Sequence, residues 1–159
     1  MSDLESDRLE GAPHPRETAL LVGHDAAERA ILDAIASGRL HHAWLLGGPE
    51  GVGKATFAYR LARRLFAGVR QGDRLASLDL PADDPTARKV LAGSHPDLVV
   101  LRRILKKDGK ALTSNIPVDL VRRALDVFTS TSAAGGWRIC IIDSAEDLDR
   151  SAANALLKV

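Results

Sequence analysis

Gly48, Pro49, Glu50, Gly51, Val52, Gly53 and Lys54 spell G-x-x-x-x-G-K between a short unbroken apolar run and an amphipathic stretch. This setting constrains the fold more than any other feature. A loop that cradles phosphates has to leave a strand and enter a helix, because its N–H groups must converge where a helix N-terminus is positively polarised. Ala43, Trp44, Leu45 and Leu46 read as that strand, buried on both faces. Phe57, Leu61 and Leu65, at four-residue spacing, read as the helix face, leaving Arg60, Arg63 and Arg64 for solvent. The glycines let the backbone approach an anion closely, and Lys54 carries a mobile positive charge toward the outer phosphates.

The residues around the loop break the pattern of a hydrolysing site. The Ser or Thr whose hydroxyl ligates magnesium is Ala55 here, and a methyl group binds no metal. Thr56 follows, but one residue turns a side chain by about 100° around a helix, so it does not stand in for the missing hydroxyl. The acidic partner expected at the end of a neighbouring strand is Asp143, after Arg138, Ile139, Cys140, Ile141 and Ile142. The next residue is Ser144 where a water-polarising carboxylate would stand, and a serine hydroxyl is a poor general base near neutral pH. Glu146 lies three residues past Asp143 and reads as a helix-capping residue. Two catalytic positions are absent together, so a phosphate cradle without its chemistry is expected: no catalytic residue, no complete metal site, and weak binding of ATP or ADP with magnesium left undecided.

Elsewhere strands and helices alternate. Asp25 with Glu28 reads as a capping pair for a helix carrying Ile31, Leu32 and Ile35 and ended by Gly38. A short helix is expected from Thr86 to Ala92, a strand from Leu98 to Leu101, and a helix opened by Pro117 with Val118, Val121, Leu125 and Phe128 on one face. Gly135 and Gly136 separate that helix from a strand at Ile139 to Ile142, and the pattern ends inside a helix, SAANALLKV. Alternation with continuous apolar strands predicts an α/β fold, a three-layer P-loop NTPase with a mostly parallel central sheet. An ending inside an apolar helix predicts a piece of a longer protein. Residues 1 to 18, polar and carrying Pro13 and Pro15, read as a flexible arm before a domain at 19 to 159.

Charge and cysteine content exclude several classes. Lys and Arg number 22 against 21 Asp and Glu, so no bulk field drives the chain onto nucleic acid or membrane. No apolar run approaches the roughly 20 residues of a membrane span, and the start is acidic, unlike a signal peptide; a cytoplasmic protein is expected. Cys140 is the one cysteine, and its apolar surroundings mark it as an inert core thiol.

The run VGHDAAERAILDAIASGRLHHAWLLGGPEGVGK, from Val22 to Lys54, resembles the start of bacterial clamp-loader subunits of the AAA+ class. There, V-G-[QH], a helix, S-G-R-[LI]-H-H-A and the phosphate loop occur in this order. Ser94, His95, Pro96 and Asp97 match an S-H-P-D element, and GWRICIIDSAEDLDRSAANALLKV is similar to the family's second motif and A-A-N-A-L-L-K helix. Ala55 and Ser144 resemble the non-motor subunits. The resemblance implies a stator in the ring that loads the sliding clamp for the replicative DNA polymerase III holoenzyme. Its partners would be the motor and delta subunits, the clamp indirectly, and primed DNA only within the assembled complex. It places Val22, Gly23 and His24 near an adenine ring, and the sensor, arginine-finger, lid and collar regions after Val159. Many family members carry a four-cysteine zinc module after the loop helix; Asp73 to Gly93 holds no cysteine, so no zinc is expected.

Two competing readings frame the tests. One is a hydrolysing ATPase of the motor type in which Thr56 and Glu146 take over the missing roles; the other, a P-loop kinase for a small metabolite, has no acceptor site or lid in the sequence to support it. The segment from Arg102 to Lys110, with Arg103, Lys106 and Lys107, offers a DNA-binding reading, whereas a solubilising hairpin at a sheet edge explains it more simply, since no aromatic residue interleaves the charges.

Overall fold

A computed structural model describes residues 5–9, 11–18, 20–81, 83–129 and 136–157. The chain is α/β, with two compact units: residues 15 to 95 form one, and residues 1 to 14 with 96 to 159 form the other.

The unit at 15 to 95 holds three helices. Helix α1, Asp25–Ala36, buries Ile31 and Ile35. It ends as the sequence requires: Gly38 takes a φ of +67°, its N–H reaches the Ile35 carbonyl at 3.0 Å, and the Arg39 N–H reaches Ala34 at 2.9 Å. Its start differs from expectation. His24 occupies the cap position without a side-chain bond, and Glu28 turns away from the helix start. The Glu28 carboxylate accepts the Leu78 N–H at 2.6 Å and lies 3.5 Å from the Arg60 guanidinium. Helix α2, Lys54–Phe66, buries Phe57 and Leu65 as its spacing predicts, but Arg60 is also inside, only 5 % exposed. A solvent position was expected for Arg60; Glu28 and Asp79, the latter at 2.5 Å, supply the carboxylates that make its burial tolerable. Helix α3, Pro85–Leu91, begins at Asp84, whose Oδ1 accepts the N–H groups of Thr86 and Ala87.

The other unit contains the sheet. Strand β1, Leu98–Arg102, pairs in parallel with β2, Ile139–Asp143, in a register that sets Leu98 opposite Ile139 and Arg102 opposite Asp143. Helix α4, Val118–Thr129, keeps Asp119, Arg122 and Asp126 exposed and packs Val121 and Ala124 into a core shared with Leu101, Ile116, Ala152 and Ala155. A 3-10 turn, Ala145–Asp147, leads to helix α5, Arg150–Leu156, which Asp149 caps through the Ala152 N–H at 2.7 Å. Lys158, Val159 and Gly135 lie outside the described residues.

Two further expectations change. The run Ala43–Leu46 is not a strand: its backbone pairs with no strand among the described residues, and Leu45 is 86 % exposed. Hydrophobicity supplies a strand's faces but not its ladder, and the run stays unpaired among the described residues. The sheet described is accordingly two-stranded. The stretch read as an arm also makes defined contacts. Arg102 binds Asp7, reaches Glu5 at 2.7 Å and lies 3.4 Å from His14, whose side chain is fully buried. Burial disfavours the Arg102 charge, but Glu5 and Asp7 outweigh it and hold its pKa above the ordinary arginine value.

Cys140 lies on β2, and burial pushes its thiol up to about 12. At pH 8 the thiolate fraction is then about 1,000-fold below that of a thiol at its ordinary 9.0. Iodoacetamide should label the half-buried Cys140 far more slowly in the folded chain than after unfolding; equal rates at pH 8 in the two states would contradict this.

Candidate functional site: a glycine loop at a helix N-terminus

Three glycines shape the loop, each with a backbone conformation that other residues resist. Gly48, Gly51 and Gly53 have φ values of +149°, +75° and +98°. Gly53 is the most constrained, because a Cβ there would lie 2.6 Å from Leu21 Cδ1. It forms the cap of α2, where no side chain bonds the helix start and no acidic residue occupies the first turn. The N-terminus of α2 therefore keeps its positive polarisation undiluted by a carboxylate.

Lys54 folds back over the loop. Its ammonium donates to the Gly48 carbonyl at 2.9 Å and to the Pro49 carbonyl at 2.8 Å. An ammonium has three donors, so one remains for an anion while the other two brace the loop. Ala55 presents its methyl one residue on, and Thr56, 7 % exposed, is buried on the core side of α2. Glu50 and Val52 are exposed along the loop.

His24 stands beside the loop. Its Nδ1 is 2.9 Å from the Val22 carbonyl, and since a carbonyl only accepts, the Nδ1 carries the proton and Nε2 is left as the other polar end. Nε2 lies 3.9 Å from where a Cβ on Gly53 would stand, and the ring stacks near Phe57 with centroids 6.3 Å apart. His24, Ile31, Trp44, Gly48, Lys54 and Phe57 line one cavity of about 390 Å³, apolar on most of its wall and basic at Lys54. Such a cavity offers an apolar slot next to an anion cradle. Val22 is 77 % exposed, and neither it nor Gly23 lines the cavity.

Asp143 ends β2 and belongs to the unit at 96 to 159, whereas the loop belongs to the unit at 15 to 95. Ser144 follows Asp143, and Glu146 is exposed on the 3-10 turn. Glu5, Asp7 and His14 place ligand atoms within 4.8 Å of one another, but the Arg102 guanidinium already lies against all three, and its charge opposes a cation there. Sequence reading missed this cluster because its members are 88 and more residues from Arg102 and share no motif.

Gly53→Ala should cost about 1–3 kcal/mol, the range for a strained backbone, with a smaller addition for turning the half-buried Leu21 side chain aside, and should weaken anion binding at the loop. Gly51→Ala should cost less, because the space around Gly51 is open. Urea unfolding of both variants checks the order; equal midpoints would show that Leu21 does not press on the loop.

A glycine loop braced by a lysine at an uncapped helix N-terminus defines a candidate phosphate-binding α/β protein. Over residues 23–159 the chain matches the family described as "DNA polymerase III, delta subunit", and it belongs to that family. It is 37% identical over 134 residues to "DNA polymerase III subunit delta'" of Yersinia pestis, covering 84% of this chain and 36% of that protein. The protein of the same name in Pseudomonas aeruginosa is 32% identical over 117 residues, 74% of this chain and 32% of its own length. "DNA polymerase III subunit tau" of Escherichia coli K12 is 28% identical over 144 residues, 91% of this chain and 20% of that protein. The chain thus spans about a third of the delta' relatives it matches.

Proposed function

We propose that the chain is the nucleotide-binding part of a delta'-type clamp-loader subunit, a stator that holds phosphates without hydrolysing ATP. One observation carries this reading: the loop keeps its left-handed glycines and its lysine, while position 55 is Ala and position 144 is Ser. Greater identity to the delta' relatives than to the tau relative supports it.

The reading takes residues 19–159 as an AAA+ domain of three-layer P-loop NTPase type, with residues 1–18 outside it. Gly48 to Gly53 would hold phosphates through backbone N–H groups, Lys54 through its charge, and Ala55 and Thr56 would follow on the helix without binding metal. Val22, Gly23 and His24 would flank the base, and His24 alone of the three lines the cavity beside the loop. Asp143 would be the second-motif carboxylate. ATP or ADP would bind weakly, with no zinc. Motor and delta subunits would be the direct partners, and the sliding clamp and primed DNA would be met through the assembly. No helix among the described residues is long and apolar enough to cross a membrane. A cytoplasmic location fits that role.

Calorimetric titration with ATP and with pyrophosphate, magnesium omitted, tests the cradle. Binding of both is expected; no heat from either ligand would remove the phosphate reading.

A further inference from the structure

Among the described residues, the titratable side chains on the wall of the cavity beside the glycine loop are His24 and Lys54, both bases, and no carboxylate joins them. The charged groups on the elements packed against His24 otherwise lie off that wall: Asp25 and Glu28 on α1, Glu50 in the loop, and Arg60 on α2, which is 3.5 Å from Glu28. A wall with bases and no acid fits an anion. Lys54 spends two of its three donors on the Gly48 and Pro49 carbonyls, whereas a phosphate group brings three acceptor oxygens. A further donor on this wall therefore has an acceptor to meet.

His24 is placed to be that donor. The Val22 carbonyl holds its Nδ1–H at 2.9 Å, which fixes the ring and sets its opposite edge toward the loop. Cε1 and Nε2 on that edge lie 3.8 and 3.9 Å from where a Cβ on Gly53 would stand, so the glycine keeps the gap between ring and loop open. Phe57 on α2 stacks near the ring at a centroid distance of 6.3 Å. In the neutral ring Nε2 presents a lone pair, which repels a phosphate oxygen; in the imidazolium the same atom donates an N–H and carries charge. A neutral ring with its proton on Nε2 instead would set the Nδ1 lone pair against the Val22 carbonyl. Contact with a phosphate through Nε2 thus requires the imidazolium.

We infer that His24 is a proton-dependent member of the anion cradle, whose Nε2–H, in the imidazolium, binds a phosphate group of a nucleotide held by the glycine loop. The inference rests on the phosphate reading of the loop, and it gives a task to a polar edge that a place beside the base leaves idle. Binding at the loop then weakens as pH rises, because the proton that makes the contact is lost.

NMR titration of the histidine Cε1–H resonances of this chain tests it, with no addition, with pyrophosphate and with adenosine, magnesium omitted. The resonance missing from His24→Gln identifies His24. A bound phosphate stabilises the imidazolium, so pyrophosphate should move the His24 midpoint to higher pH, while adenosine, which has no phosphate, should leave it in place. A charge-assisted contact corresponds to roughly 10-fold in affinity, so between pH 5 and pH 8 the parent should lose up to about 10-fold more pyrophosphate affinity than His24→Gln, a comparison in which the ligand's own titration cancels. Pyrophosphate binding with an unmoved His24 midpoint, or a midpoint that adenosine moves as far, overturns the inference and leaves the phosphate reading standing. No pyrophosphate binding at any pH overturns both.

Discussion

Arg60→Ala should destabilise the chain by about 1–3 kcal/mol, less than the full cost of breaking a buried ion pair because only Arg60 is buried and the Glu28 side chain stays 17 % exposed. The Glu28 carboxylate would keep its Leu78 N–H but lose the only cation within 4.0 Å of it among the described residues. Leu78 is itself 1 % exposed, so the loss would also loosen the segment that Glu28 holds against α1. Asp79 enters the sum only weakly, because its side chain is 70 % exposed and solvent screens its pairing with Arg60. The chemistry of the cost can be separated from its geometry. Arg60→Met together with Glu28→Gln removes both charges, fills most of the volume and keeps an acceptor for Leu78, so it should recover more than half of the loss. Urea unfolding of the three proteins provides the test. A midpoint for Arg60→Ala within error of the parent would show that the guanidinium is not sustaining Glu28.

The shape of the glycine loop was legible in the sequence because its requirements are local. Gly48, Gly51 and Gly53 must take positive φ, Lys54 must follow them, and an amphipathic helix must begin there; all of this is encoded within a few residues. The end of α1 was legible for the same reason, as Gly38 shows, whereas the Asp84 cap of α3 was not read. What could not be read depended on distant partners. Arg60 looked like a surface residue because its carboxylates are 32 and 19 positions away, a separation that periodicity does not sense. Ala43 to Leu46 looked like a buried strand because hydrophobicity was taken to imply a ladder, and no strand among the described residues pairs with it. Glu28 fitted a capping pair by spacing, but a long-range backbone N–H and a cation compete for the same carboxylate and win it.

The loss of hydrolysis is the largest effect the account predicts. Without a hydroxyl at Ala55 a magnesium ion is poorly fixed, and without a carboxylate at Ser144 the attacking water is not oriented. Losses of about 100-fold for each such group would compound to ~10,000-fold. Phosphate binding should survive, because it would rest on the loop backbone and on Lys54, whose ammonium sits between the Gly48 and Pro49 carbonyls. Lys54→Ala removes one charge-assisted contact, worth about 1.5–3 kcal/mol, and should weaken ATP or pyrophosphate binding by roughly 10- to 100-fold.

Magnesium-dependent ATP turnover, measured on this chain beside Lys54→Ala, puts the central claim to its most direct test. The account predicts no turnover above background in either protein, while calorimetry registers weaker anion binding in the variant. Steady turnover by the parent chain that Lys54→Ala abolishes would contradict it and establish a working ATPase.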